Sequence, residues 1–176
     1  MHPIIRPGQE DTPPYGWKYI NLLPGTDLHH ELIRTRDLTV QVVNGIPSDQ
    51  GHFAYAEGKW TIGELIAHVS DAERVFAYRA LRFSRQDTTE LPGFDEDWYA
   101  PRSHARHRTL DDILHEYVTI RSATLSLFGY LTDEMLDFRG KANKVVYTAR
   151  SLGWMVAGHN QHHINILQER YLAAMK

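Results

Sequence analysis

Apolar residues along this chain recur mostly at three- and four-residue intervals, with little strict alternation, so the dominant period is helical. After Thr26, the residues Leu28, Leu32, Thr35, Thr39, Val42 and Val43 form a rough stripe, and Gly45 and Pro47 stop it near Asn44. A second helix opens at Thr61-Ile62-Gly63-Glu64, the Ser/Thr-x-x-Glu form in which side chains satisfy free backbone N–H groups. Its face of Ile62, Leu65, Ile66, Val69, Phe76, Ala80 and Phe83 carries it to about Arg85. Thr109, with Asp112 three residues on, opens a third helix along Ile113, Tyr117, Ile120, Thr124, Leu127 and Leu131. A short helical turn is expected at 132–136, and the last helix runs from about Thr148 to about Ala174.

Four long amphipathic helices predict an all-α four-helix bundle over residues 26–176. Residues 1–25 contain Pro3, Pro7, Pro13, Pro14 and Pro24, which predicts an irregular N-terminal arm. The connections at 86–108 and 137–147 are long, so the topology need not be simple up-down-up-down. The first of these carries Phe94, Trp98 and Tyr99, together with the acidic run Asp95, Glu96 and Asp97.

Composition narrows the function classes. The 176 residues are 42% hydrophobic and 23% charged, which suits one soluble domain with enough core to fold without a staple. There is no cysteine, so disulfides, Cys-ligated zinc, iron–sulfur clusters and a Cys nucleophile are excluded, and a reducing cytoplasm is the expected compartment. No run is long enough to span a membrane. The formal charge of −3 lacks the basic excess of a nucleic-acid binder. RSHARHR at 102–108 reads as a solvated loop.

Histidines change the picture. On a helical wheel with Leu152 at zero, Met155, Val156, Ile166 and Leu167 fall within roughly 60°. His159 and His163 fall within roughly 20°, in the middle of that apolar stripe, while His162 sits at its edge. Two inward imidazoles at i, i+4 can share one metal ion; a satisfied core histidine is the ordinary alternative. A third ligand would have to come from His29, His30, His52, His68, His104, His107 or His115. Only His68 and His115 sit well inside strongly periodic helices, and His68 lies at the flank of its apolar face, with Asp71 and Glu73 nearby. No His-Glu-x-x-His, no paired Glu-x-x-His, no Gly-x-Ser-x-Gly elbow and no glycine-rich phosphate loop is present.

Three segments, GKWTIGELIAHVSDAERVFAYRAL (58–81), LPGFDEDWYA (91–100) and GHNQHHINILQERYL (158–172), together resemble the DinB/YfiT-like superfamily. The resemblance covers roughly residues 17–174. It departs where Ile164, Asn165 and Ile166 stand in place of the Arg-Gly-Gln found in many members, and the Pro-rich arm has no match. It implies a four-helix bundle with a three-histidine site for one divalent ion at His68, His159 and His163, with His162 between the ligands and not among them. Zinc or nickel is the expected ion, and iron is also compatible.

The resemblance further implies a metal-dependent enzyme that activates either a low-molecular-weight thiol, as in S-transferases using bacillithiol, mycothiol or glutathione, or a water, as in a hydrolase. It also implies a homodimer and a small-molecule substrate, while the charge and the lack of a spanning run predict no nucleic-acid or membrane partner. The alternative is a non-catalytic helical binding or stress-response protein whose metal is structural or absent. Candidate general bases are Glu64, Asp71, Glu73 and the run 95–97; candidate pocket aromatics are Trp60, Trp98, Tyr147 and Trp154.

Overall fold

The computed structural model describes residues 2–175. Helix α1, Pro14–Ile20, lies inside the stretch expected to be irregular. The prolines there start a helix and do not block one: Pro14 is in the first turn, where a missing N–H costs no hydrogen bond. The chain before it runs across the start of α2, Leu28–Asn44, where Ile4 N donates to Asp27 Oδ1 at 2.9 Å and Leu28 N donates to the Ile4 carbonyl.

Helix α3, Ile62–Ser84, carries the expected capping box: Glu64 N donates to Thr61 Oγ1 at 3.2 Å and Thr61 N donates to Glu64 Oε2 at 2.8 Å. A short helix α4, Glu96–Tyr99, follows in the long connection, capped by Asp95. Helix α5, Leu110–Phe128, opens with the Thr109–Asp112 box and stops at Gly129, short of Leu131. Then come α6, Asp133–Asp137, and a hairpin of β1, Gly140–Ala142, and β2, Val145–Tyr147. The hairpin pairs Gly140 with Tyr147 and Ala142 with Val145. Its tip residues Asn143 and Lys144 both have positive φ, as a tight two-residue turn requires. Helix α7, Ala149–Ile166, is capped by Thr148 and Ser151 and continues as a π-helix over Leu167–Leu172.

The closely packed pairs of long helices are α3 with α7 and α5, and α2 with α7 and α5. Thus α2 lies across the bundle from α3, and α5 across from α7. Two of the three sequence-consecutive pairs of long helices are diagonal, so long connections are needed to cross the ends. In the third, between α3 and α5, the strand-like stretch at Leu91 bonds to the hairpin through Leu91 N to Lys141 O and Asn143 N to Leu91 O, both 2.9 Å. This makes one continuous wall beside α3.

The core has two apolar halves. One gathers Leu28, Leu32, Phe76, Phe83, Phe128 and Trp154 with the arm residue Ile4; the other gathers Val43, Leu65, Ile113, Ile164 and Leu167. Between them lies a buried polar layer. Arg121 of α5, 0% exposed, bonds Glu73 of α3 through two contacts of 2.8 Å, and also reaches Leu32 O and Thr35 Oγ1 of α2 and Asn160 Oδ1 of α7. Tyr117 OH donates to Asn160 Oδ1 at 2.7 Å, and Asn160 Nδ2 donates to Thr39 Oγ1 at 2.9 Å. All four long helices meet in this layer. It fixes their axial register, because sliding α3 or α5 would part a buried ion pair and sliding α2 or α7 would break buried hydrogen bonds.

Candidate metal centre

His159 lies one residue before Asn160, so the register set by the polar layer also sets the height of His159 and His163 against α3. His68 of α3 meets them there. His68 Nε2 is 3.2 Å from His159 Nε2, and His163 Nε2 is 3.0 Å from His159 Nε2. The three residues are buried, and their ligand atoms all lie within 4.8 Å of one another. A tetrahedral ion bound at about 2.0–2.1 Å from each imidazole nitrogen holds the nitrogens about 3.3 Å apart. The donor set therefore fits one divalent ion, with at least one coordination position left for a small molecule.

Electrostatics point the same way. Burial lowers His68 to about 4. Burial, then the neighbouring His68 and His162, lowers His163 to about 2. His159 is pushed well below the usual imidazole value by burial, and next by His163 and His68. All three are thus held neutral, and a neutral imidazole is the form that ligates a metal. Aromatic rings pack against two of them. Tyr19 of α1 stands edge-on to His159 at 5.4 Å, Phe76 at 6.0 Å, and the Trp60 ring lies 4.8 Å from His68.

The remaining histidines weighed as third ligands are not part of this cluster. His30, His52, His104, His107 and His115 are exposed and His29 is half-buried. His162 turns toward Tyr19, ring centroids 5.4 Å apart.

The cluster opens into a cavity of about 330 Å³. Its walls are α3, α7, the hairpin, the 93–96 segment and helix α1. Helix α1 brings Tyr15 and Tyr19 into the wall, contributions that the reading of the arm as irregular missed; the Pro at a helix start was the available signal. Two of the four candidate aromatics, Trp60 and Tyr147, line this cavity. Trp154 does not: it is sealed in the core with Nε1 bonded to Ile5 O at 3.0 Å. Trp98 does not either: it is 58% exposed and stacked under Arg102.

The carboxylates weighed as general bases are mostly committed elsewhere. Glu73 pairs with Arg121, Glu64 closes the α3 cap and pairs with Arg106, and Asp71 pairs with Arg74. Each is bonded to its own arginine and none is hydrogen-bonded to a clustered imidazole. From the acidic run only Glu96 lines the cavity. The RSHARHR segment is tied locally, with Arg106 on Glu64 and Arg108 on Glu116.

Comparisons with known proteins follow this architecture. YfiT from Bacillus subtilis, described as a probable metal-dependent hydrolase with an unusual four-helix bundle topology, superposes with a TM-score of 0.69. The match covers 96% of this chain and 92% of that one at 18% identity, which establishes the shared fold. An Oceanobacillus iheyensis protein named "Putative metal-dependent hydrolase" is 27% identical over 146 residues, covering 78% of this chain and 82% of its own. The sequence profile of the DinB superfamily matches residues 31–167, a span that contains all three clustered histidines, and this chain belongs to that superfamily.

Proposed function

We propose that this protein is a metal-dependent enzyme of hydrolytic type that works on a small molecule held in the cavity beside His68, His159 and His163. The observation that carries the reading is the convergence of three neutral, buried imidazole nitrogens on one point at the floor of that cavity. The names carried by the two relatives support it. A bound divalent ion, with zinc and nickel first and iron also compatible, supplies a lowered pKa for a water or thiol held on it. The chain's own residues supply the rest. The three imidazoles fix the ion's place, and Tyr19, Trp60 and Phe76 hold the rings and exclude bulk water. Glu96 is the one carboxylate among the described residues that lines the cavity and could take up a proton.

A second reading, transfer of a low-molecular-weight thiol to an electrophile, is favoured by one observation. No Asp or Glu among the described residues joins the histidine cluster as a base. A thiol needs less help than water to lose its proton. A homodimer is part of the proposal and is read by sedimentation.

Elemental analysis of untagged wild-type protein beside His68→Ala and His163→Ala tests the site. The expected result is about one divalent ion per chain, lost in both variants. No bound ion after incubation with zinc, nickel and iron would refute it and leave a non-catalytic bundle. Ester and amide hydrolysis measured with and without added thiol then separates the two chemistries.

A further inference from the structure

Three arginines are buried among the described residues, and two have carboxylate partners: Arg121 with Glu73, and Arg150 with Asp133 and Asp137. The third, Arg79 of α3, is 4% exposed, and no Asp or Glu among the described residues lies within 4.0 Å of it. Holding a cation out of water without a counter-charge is costly. Its one hydrogen bond to the protein runs from Nη2 to the Pro92 carbonyl at 2.9 Å. A guanidinium carries five N–H donors. None of its other nitrogens is sealed in without a partner, and the residue lines both the cavity beside the histidines and an adjoining one beside Leu91 and Tyr99, so its spare donors border open space.

Beside it are two phenols. The Tyr147 ring lies 6.0 Å from the guanidinium carbon, and the Tyr147 and Tyr15 hydroxyls hydrogen-bond to each other. Two hydroxyls bring two protons. One is used between them, and the other is left to donate outward. The Arg79 and tyrosine side chains therefore present hydrogen-bond donors and a positive charge.

The two ends are set by one helix face. His68, Ala72, Phe76 and Arg79 line the cavity from α3 at spacings of four, four and three residues. Eleven residues of α-helix separate His68 from Arg79 by about 16 Å along the axis.

We propose that Arg79, with the Tyr15–Tyr147 hydroxyl pair, is a carboxylate subsite. It receives the carboxylate of a small molecule whose apolar body lies along Phe76 and whose far end reaches the histidine cluster. The placement of the reacting end rests on the metal-enzyme reading; the carboxylate subsite does not. A single guanidinium in an aromatic setting suits a planar monoanion, and phosphate sites add helix N-terminal amides or further cations. Glu96 lines the cavity too, but it is exposed, where water screens its charge.

The test is calorimetric titration of the metal-free chain with 4-phenylbutyrate, its neutral amide and inorganic phosphate. The acid should bind wild type at least about tenfold more tightly than the amide. The preference should vanish in Arg79→Gln, shrink in Arg79→Lys and in Tyr147→Phe, and persist in His163→Ala. Circular dichroism confirms the fold of each variant, and if Arg79→Gln does not fold, the other two subsite variants decide. Acid and amide binding equally, neither binding at millimolar concentration, phosphate binding more tightly than the acid, or a preference surviving in folded Arg79→Gln would each overturn the proposal. Arg79 would then be only the clamp on Pro92. Because the titration uses the metal-free chain, its outcome does not depend on the metal reading, which the elemental analysis tests separately.

Discussion

Replacing Glu73 by Gln should be among the most damaging single changes in this protein. The substitution keeps the size of the side chain and removes its charge. Arg121 then stays at 0% exposure with no counter-ion, its Nε and Nη2 facing an amide in place of a carboxylate at 2.8 Å. Its bonds to Leu32 O and Thr35 Oγ1 remain, but those are neutral acceptors. Breaking one partner of a buried pair costs about 3–5 kcal/mol. For a chain of this size each kcal/mol lowers Tm by about 2–4 °C, so a fall of roughly 6–20 °C is expected. Urea denaturation at neutral pH gives the same loss as a shift in midpoint at unchanged slope.

The reverse variant, Arg121→Met, leaves the Glu73 carboxylate buried without its partner and should lose a similar amount at neutral pH. The double variant Glu73→Leu/Arg121→Met should recover much of the loss, a coupling that a double-mutant cycle reads directly. A Glu73→Gln loss below about 1 kcal/mol would refute the reasoning, because such a loss belongs to pairs that water can reach.

Three further outcomes follow from the structure. Gly158→Ala would put a Cβ 2.5 Å from the Tyr19 carbonyl, so α1 must shift at a cost of about 1–3 kcal/mol, seen as faster amide exchange over residues 14–20. If the proposed ion is bound, chelation should leave the far-UV spectrum helical, because neither apolar half of the core includes the histidines; the stability lost should be that of ligand release alone, about 2.7 kcal/mol at a free-ion concentration a hundred times Kd. For Glu64, burial alone raises its carboxyl, but the hydrogen bonds from Arg106 and Thr61 outweigh it and hold the group below the usual range. Its ion-pair stabilisation is present above pH about 4.3 and is lost as pH falls through the lowered value. The stability gap between wild type and Arg106→Gln should close over that acid range.

Much of this architecture can be read in advance where the signal is local. Thr61, Thr109 and Thr148 announce their helices through caps, and the inward placement of His159 and His163 follows from the period of one helix. What hid was non-local or looked like something else. Helix α1 was masked because Pro13 and Pro14 break a helix in its middle and favour one at its start. The hairpin was masked because Asn143-Lys144 takes positive φ without the glycine that usually marks such a turn. Arg121 sits where a surface charge would be expected, and its partner Glu73 is 48 residues away. The meeting of His68 with α7 needed the family resemblance, since periodicity alone narrowed seven histidines to His68 and His115 without settling the third ligand. Arg79 escaped notice because a lone arginine has no pattern, although its spacing from His68 and Phe76 places it on their face.

The division of the cavity between segments bears on how proteins of this kind diverge. The histidine cage lies wholly within the span shared with the DinB superfamily, whereas Tyr15 and Tyr19 come from a seven-residue helix that precedes that span. Substitutions in this helix can reshape one wall of the cavity without changing any of the three clustered histidines. Part of what the cavity admits is therefore open to change from outside the span that the superfamily shares.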